Sequence, residues 1–405
     1  MIVNKYIDNY FLLLFCIIPL TIILGASVSL ANIILIDISF LILIIYKKDF
    51  KFIKDKSILY LVLLYIYLIF NSFISIDFNE GFFRNFGFIR IIILFAAFNF
   101  FFLHENFYRK VFKFWSLILF FVLIDVFIES IFGSNIFGYS GKQGRIVSFF
   151  KDEPIVGGFL LAFFLLISGF ITKELEKKNF LIIFLVIGCF VLAILLTGER
   201  SNTIKTIGGI TLFLLFIKSI NLKKKIIVIS AMIASILFFI FNPFSKDAFL
   251  QHRYDKLFKE FLAKDNVYYL NFEYGSEIFK NYKLFGVGNK NYRIEACKLE
   301  NIKKYNNLCN THPHQIYFEL FSEHGIIGSL IILYLLFKLV FSKIFSTFKS
   351  SNYIKLGSLI YMMLVFSPLL PSGAFFSNNL LTFFSINLSI FYALDKKMNI
   401  FRNED

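Results

Sequence analysis

The stretch NTHPHQIYFELFSEHGIIG at 310–328 holds three of the chain's five histidines, immediately before a long apolar run. Thr311, His312 and Pro313 read as a helix start, with threonine at the N-cap and proline near N1, where its missing N–H costs nothing. His314 then falls in the first turn, where the positive helix end disfavours imidazolium and keeps the ring able to accept a proton. The same end attracts anions such as phosphate. A capped membrane helix with interfacial histidines produces the same pattern without any chemistry. The cations suited to a phosphate are Arg145 in GKQGRIVSFFKDEP, Arg200 in LLTGERSN and Arg253 in LQHRYDKLF, because guanidinium offers a planar fork for bidentate contact. Each also suits an interfacial anchor or a carboxylate partner, and Glu199 stands next to Arg200. Arg200 is the strongest of the three, since it lies with Gly198 in a tight turn between two apolar runs.

Asp37, Arg84, Arg90, Asp125, Glu129 and Lys205 fall inside or near the ends of apolar runs, where charge is costly and faces protein or water. Asp125 and Glu129, four apart, share a helical face. Pairing of Arg84 and Arg90 with these two acids is the structural expectation; lining a phosphate is the functional alternative, and His312 is a further secondary candidate. Cys16 and Cys189 lie within apolar runs, whereas Cys297 and Cys309 lie in the one long polar segment. On the extracytoplasmic side that second pair could close a disulfide contributing about 3 kcal/mol, or it could remain two free thiols. No metal site is expected: His312 and His314 flank a proline, HExxH and CxxC spacings are missing, and Asp152 with Glu153 would hold a cation only loosely. A P-loop, a dinucleotide fingerprint and a nucleophile elbow are also missing, and GVGNKN is too short a glycine signal for a nucleotide. No cofactor is therefore expected.

The elements that must position these residues are membrane helices. At 58% hydrophobic and 20% aromatic, with mean hydropathy +0.73, the chain exceeds the apolar share of a soluble domain. Its charge of +15 sits in short lysine clusters between apolar runs, which fits membrane orientation rather than nucleic acid. Scanning for runs of about 20 apolar residues gives about 12 transmembrane helices. They fall near 9–26, 30–46, 57–76, 84–103, 111–132, 154–172, 179–197, 203–218, 226–242, 315–341, 354–370 and 378–394. The first two are nearly continuous, interrupted by Gly25, Ser27, Ser29 and Asn32, and the N-terminal run reads as a retained helix rather than a cleaved signal. Lysine-rich connections alternate with lysine-poor ones, which puts both termini in the cytoplasm and the segment 243–314 outside, between spans 9 and 10. Within it, 246–263 has an amphipathic helical pattern, and 276–292 suggests a short helix followed by a Gly-Val-Gly turn. The expected architecture is all-α: a polytopic membrane helix bundle forming one integral domain over 1–405, capped by that external loop.

Four segments give the chain a family likeness. HPHQIYFELFSEHGIIG, LLTGERSN, NIFGYSGKQGRIVSFFKDEPIVGGFL and LFGVGNKNYRIEAC, each weak alone but specific in their order and spacing together, resemble the O-antigen ligase and O-antigen polymerase superfamily of bacterial envelope glycosyltransferases. Gln315 stands where that family commonly has asparagine. The resemblance implies a GT-C-like fold and transfer of a glycan from undecaprenyl pyrophosphate to a sugar hydroxyl on the periplasmic face of the inner membrane, without nucleotide or metal. It implies His314 as general base on the acceptor, Arg200 and Arg253 as holders of the donor pyrophosphate, and Arg145 as a further phosphate or acceptor contact. His312 is the less fitting of the two neighbouring histidines, and His324 reads as structural.

The leading functional expectation is a polymerase joining lipid-linked repeat units, carried chiefly by 135–160. The rival is a ligase that transfers finished glycan to lipid A core. A transporter or flippase of lipid-linked sugars is a third class, but no inverted repeat accompanies the intramembrane charges. The implied partners are the lipid-linked glycan donor, a lipid-linked or lipid A core acceptor, membrane lipids and a chain-length regulator, with no nucleic acid.

Overall fold

Each of the apolar runs folds as helix in the computed structural model, which describes residues 5–141, 144–151, 153–175, 180–241, 266–304, 309–368 and 370–402, with no strand among them. In chain order the helices are α1 (Lys5–Cys16), α2 (Ile18–Leu24), α3 (Ala26–Lys47), α4 (Lys56–Phe73), α5 (Phe78–Phe86), α6 (Ile89–Phe101), α7 (Glu105–Phe132), α8 (Val156–Glu174) and α9 (Phe180–Leu196). They continue with α10 (Arg200–Phe216), α11 (Leu222–Phe241), α12 (Val267–Asn281), α13 (Tyr292–Ala296), α14 (Leu299–Lys304), α15 (Ile316–Leu339), α16 (Ile344–Phe348), α17 (Tyr353–Val365) and α18 (Asn378–Ala393). Six segments among the described residues are long and apolar enough to cross a membrane: α3, α4, α5 with α6, α7, α8, and α15 with its extension to Phe348. The bent pair α1 and α2 makes a seventh if it is one span. The protein is thus a multi-pass helical membrane protein.

The first apolar run breaks earlier than its small residues suggest. α1 and α2 meet at 43°, next to Pro19, which cannot supply an N–H to the turn before it. Gly25, with φ 126°, then separates α2 from α3. The amphipathic stretch expected at 246–263 lies outside the described residues. The helix expected over 276–292 lies earlier, at α12, where the Asn266 side chain caps it through Tyr268 N–H at 2.9 Å.

α8 runs through the centre, packed against α9, α17 and α18, and its buried face carries Phe159, Phe163, Leu165 and Leu166. Asn387 of α18 donates to the Ala162 carbonyl at 3.1 Å, fixing the register between α18 and α8. Long apolar side chains such as Phe70, Leu117, Phe120 and Leu181 stay exposed on the outer surface, as a lipid-facing surface requires.

α15 is interrupted at Gly325, whose φ of 61° is left-handed. The break is filled by the loop after α12: Val287 and Gly288 N–H donate to the Ser322 and Glu323 carbonyls at 2.9 Å, while Ile326 and Ile327 N–H donate to Lys283 and Leu284 carbonyls at 2.8 and 3.1 Å. Irregular backbone at such a place is tolerated because protein, not lipid, satisfies it. A Cβ at Gly325 would strike the Leu284 carbonyl, and one at Gly286 would strike the Glu323 backbone, so glycine at both positions permits the close approach.

Candidate functional site

His314 lies just outside α15 rather than in its first turn. The N-cap is Gln315, whose Oε1 accepts from Tyr317 N–H at 2.8 Å and Phe318 N–H at 3.1 Å. Thr311 bonds His312 instead, its Oγ1 lying 3.1 Å from Nδ1. A long amide side chain can reach the orphan N–H groups that threonine four residues upstream cannot, so the helix starts later than the proline signal implies. His314 adopts φ 56°, an uncommon backbone state for a non-glycine residue and one that clusters at functional sites. Its ring packs on His312, with centroids 4.2 Å apart, and meets Tyr268 edge-on. Burial lowers the His314 pKa first, and the Arg145 guanidinium lowers it further. For His312, burial and then the neighbouring His314 bring it down to about 4. Both rings are therefore neutral at pH 7.

Arg145 is presented by a loop that two buried carboxylates hold. Glu129 accepts from Gly141, Val147 and Ser148 N–H, the last at 2.6 Å, and Asp125 accepts from Ile136 N–H at 3.0 Å and Ser148 Oγ–H at 2.6 Å. The expected pairing of these acids with Arg84 and Arg90 does not occur. The acids satisfy a loop whose backbone donors would otherwise be buried alone, a need the i,i+4 spacing does not reveal. Arg84 and Arg90 both donate to Asn378 Oδ1 at the start of α18, the second at 3.4 Å.

Arg200 opens α10, directly after the Gly198 turn. Its neighbour Glu199 accepts from Gly157 N–H at 2.7 Å and from the Asn202 amide at 2.5 Å. Burial raises the Glu199 pKa to about 7, opposed by these bonds and by Arg145, so Arg145 lies within electrostatic reach of both Glu199 and His314. The turn at 371–378 joins the two halves: Pro371 carbonyl accepts from Ser201 Oγ–H at 2.5 Å and Lys205 Nζ at 3.1 Å, and the next N–H, of Ser372, donates to the His314 carbonyl at 2.8 Å. The first turn of α10 and His314 are thereby fixed to adjacent residues.

His312 also lines a cavity of about 250 Å³, together with Asn289, Lys290, Arg293, Glu319, Glu323 and Phe376 among others. Both glutamates are buried on one face of α15; Glu319 accepts from Phe375 N–H at 3.0 Å and Glu323 from Tyr292 N–H at 3.4 Å. The Lys290 pKa is lowered, first by burial and then by Arg84 and Arg293. Cys297 and Cys309, joined by a disulfide, tie the segment after Arg293 to the strand of chain leading into His312.

Residues 181–333 match the family model described as O-antigen ligase. That stretch of the chain is similar to the O-antigen ligase family. The matched stretch runs from α9 into α15, and so includes Arg200, Lys290, Arg293, His312 and His314, while Arg145 and the 371–378 turn lie outside it. Among curated proteins, none matches the chain.

Arg145, Arg200, His312 and His314 are thus brought into one neighbourhood. Arg84 and Arg90 lie on the Asn378 side of the cavity, and Arg253 lies outside the described residues. His324 is buried, with Nδ1 3.2 Å from Tyr67 Oη and its ring against Phe376. Lys290, Arg293, Glu319 and Glu323 were not singled out from the sequence. The available signals were the two glutamates four apart in an apolar run and the two cations in GVGNKNYR.

Proposed function

We propose that this membrane protein transfers a glycan from a lipid-linked diphosphate to a sugar hydroxyl, as an O-antigen polymerase that joins undecaprenyl-pyrophosphate-linked repeat units. The observation that carries the reading is a half-buried, neutral histidine in a left-handed backbone state, His314, which feels the Arg145 guanidinium and is tied to the Arg200 turn through Pro371 and Ser372. In the proposed step the acceptor oxygen bonds to the donor anomeric carbon as the bond from that carbon to the diphosphate oxygen breaks. The hydroxyl proton passes to His314, and the electron pair leaves with the lipid diphosphate. Arg145 and Arg200 stabilise the charge that develops there, and Arg253 is proposed as a third contact. The lysine distribution and the Cys297–Cys309 bridge support an active face on the periplasmic side, with both termini cytoplasmic, since disulfides persist in oxidising compartments. The two further parts of this proposal are the full set of about 12 spans and the role of 243–314 as an external cap.

His314→Ala is expected to abolish glycan transfer by protein that remains inserted and folded; retained full activity removes the residue from the mechanism. Arg200→Lys is expected to lose most activity although the charge is kept, because lysine lacks the bidentate fork. A ligase that delivers finished glycan to lipid A core is the second reading, favoured by the description of the matching family. The polymerase reading rests on 135–160, the segment that carries Arg145 to His314.

A further inference from the structure

The paired histidines separate two polar environments. Arg145 acts on His314, whereas Lys290 and Arg293 act on His312 from the cavity side. A base that takes the acceptor's hydroxyl proton lies on the acceptor side of the attacking oxygen, and the described lining of this cavity includes His312, the ring packed on His314, but neither Arg145 nor Arg200. Its chemistry is not that of a phosphate cradle. Two cations, Lys290 and Arg293, share the lining with two buried acid side chains, Glu319 and Glu323, each of which accepts from a backbone N–H, and a bound diphosphate would face the oxygens of both acids. Among the described residues the buried Asn289 Oδ1 and Arg293 Nε find no hydrogen-bond partner, which leaves one acceptor and one donor to be satisfied. Thr311 and Ser377 add hydroxyls to the lining, and Phe376 adds an apolar ring. Such a mixture matches a neutral ring bearing several hydroxyls, each of which both donates and accepts.

We propose that this cavity is the acceptor-sugar subsite: it holds one sugar ring of the acceptor glycan and presents a hydroxyl toward the histidine pair. The proposal rests on the glycosyl-transfer reading, and it adds Lys290, Arg293, Asn289, Glu319 and Glu323 as groups that recognise the acceptor.

Gly373 provides the test. It lines the cavity, and a Cβ there would meet nothing within 4 Å, so Gly373→Leu adds bulk without a backbone collision. Arg293→Gln is the second variant; its ion pair with Glu80, at 3.8 Å, is half exposed and contributes little to folding. Repeat-unit oligosaccharide, released by mild acid from lipid-linked glycan extracted from a strain lacking this chain, is titrated onto full-length protein in detergent. Binding is followed by saturation-transfer nuclear magnetic resonance. The oligosaccharide is expected to bind the wild type and His314→Ala alike, to bind folded Gly373→Leu and Arg293→Gln at least tenfold more weakly, and to stay bound when inorganic pyrophosphate is added. The proposal is overturned by no binding to the wild type, by equal binding to both cavity variants, or by displacement with pyrophosphate, which would make the cavity the donor phosphate site. Transfer of lipid-linked glycan by the wild type is measured in parallel. Sugar binding without transfer contradicts the proposed function and leaves the binding cavity standing; transfer without cavity-dependent binding contradicts the subsite alone.

Discussion

At the scale of single residues, glycan transfer as proposed requires His314 to be an unprotonated base. Its depressed pKa predicts an acid limb in the pH profile of transfer that lies below the ordinary histidine value of 6.5. Arg145 contributes to that depression, so in Arg145→Gln the limb should move up toward 6.5, whatever happens to the maximal rate. A limb at the same pH in both proteins would separate Arg145 from His314. His312 makes a prediction about folding instead. Its ring takes a proton near 6.5 when unfolded and only near 4 when buried, so between these values the unfolded state binds more protons. Its contribution to stability is complete above 6.5 and is lost as pH falls toward 4. His312→Asn should flatten the decline of melting temperature across this window, and an unchanged slope would assign the decline to other groups. The histidines and Arg145 were legible as chemistry in the sequence; their relation was not, because it depends on Ser372 and Pro371, residues from a turn some sixty positions later with no distinguishing composition.

At the scale of elements, the site is positioned by breaks in helices as much as by helices. The N-cap of α15 lies four residues beyond Thr311 because a Thr-x-Pro signal is local, whereas the cap that wins is the Gln315 side chain folded back on Tyr317 and Phe318. The interruption at Gly325 has a clear energetic consequence: Gly325→Ala combines a left-handed φ with a collision at Leu284 and should cost about 2 kcal/mol or more. Denaturation in detergent checks this, and a stability equal to wild type would mean that the α15 break can close. The disulfide spans a sequence separation of 12, and its removal in a Cys297→Ser, Cys309→Ser double variant should cost about 3 kcal/mol of stability by loop closure. Equal unfolding midpoints of oxidised and serine proteins would show that the segment is held by packing alone. The roles of Asp125 and Glu129 were hidden for a physical reason. Acids on an apolar helix are expected to seek arginines, but a buried loop with unpaired backbone N–H groups is an equally good partner and leaves no mark in the spacing.

At the scale of the molecule, the helical architecture could be read from composition and run length, because a lipid environment admits so few ways to satisfy a backbone. The packing of α8 between α9, α17 and α18, and the cavity behind His312, could not, since they depend on which apolar faces meet. The proposed polymerase and the ligase reading differ in acceptor. Deletion of the gene is expected to leave surface lipid capped with a single repeat; an uncapped core would favour the ligase. The most direct measurement of the central claim is elongation of lipid-linked repeat units by the purified protein in detergent, with His314→Ala as its control. Longer lipid-linked chains are expected from the wild type and none from folded His314→Ala. No elongation by the wild type on matched substrate, or equal elongation by both, would contradict it.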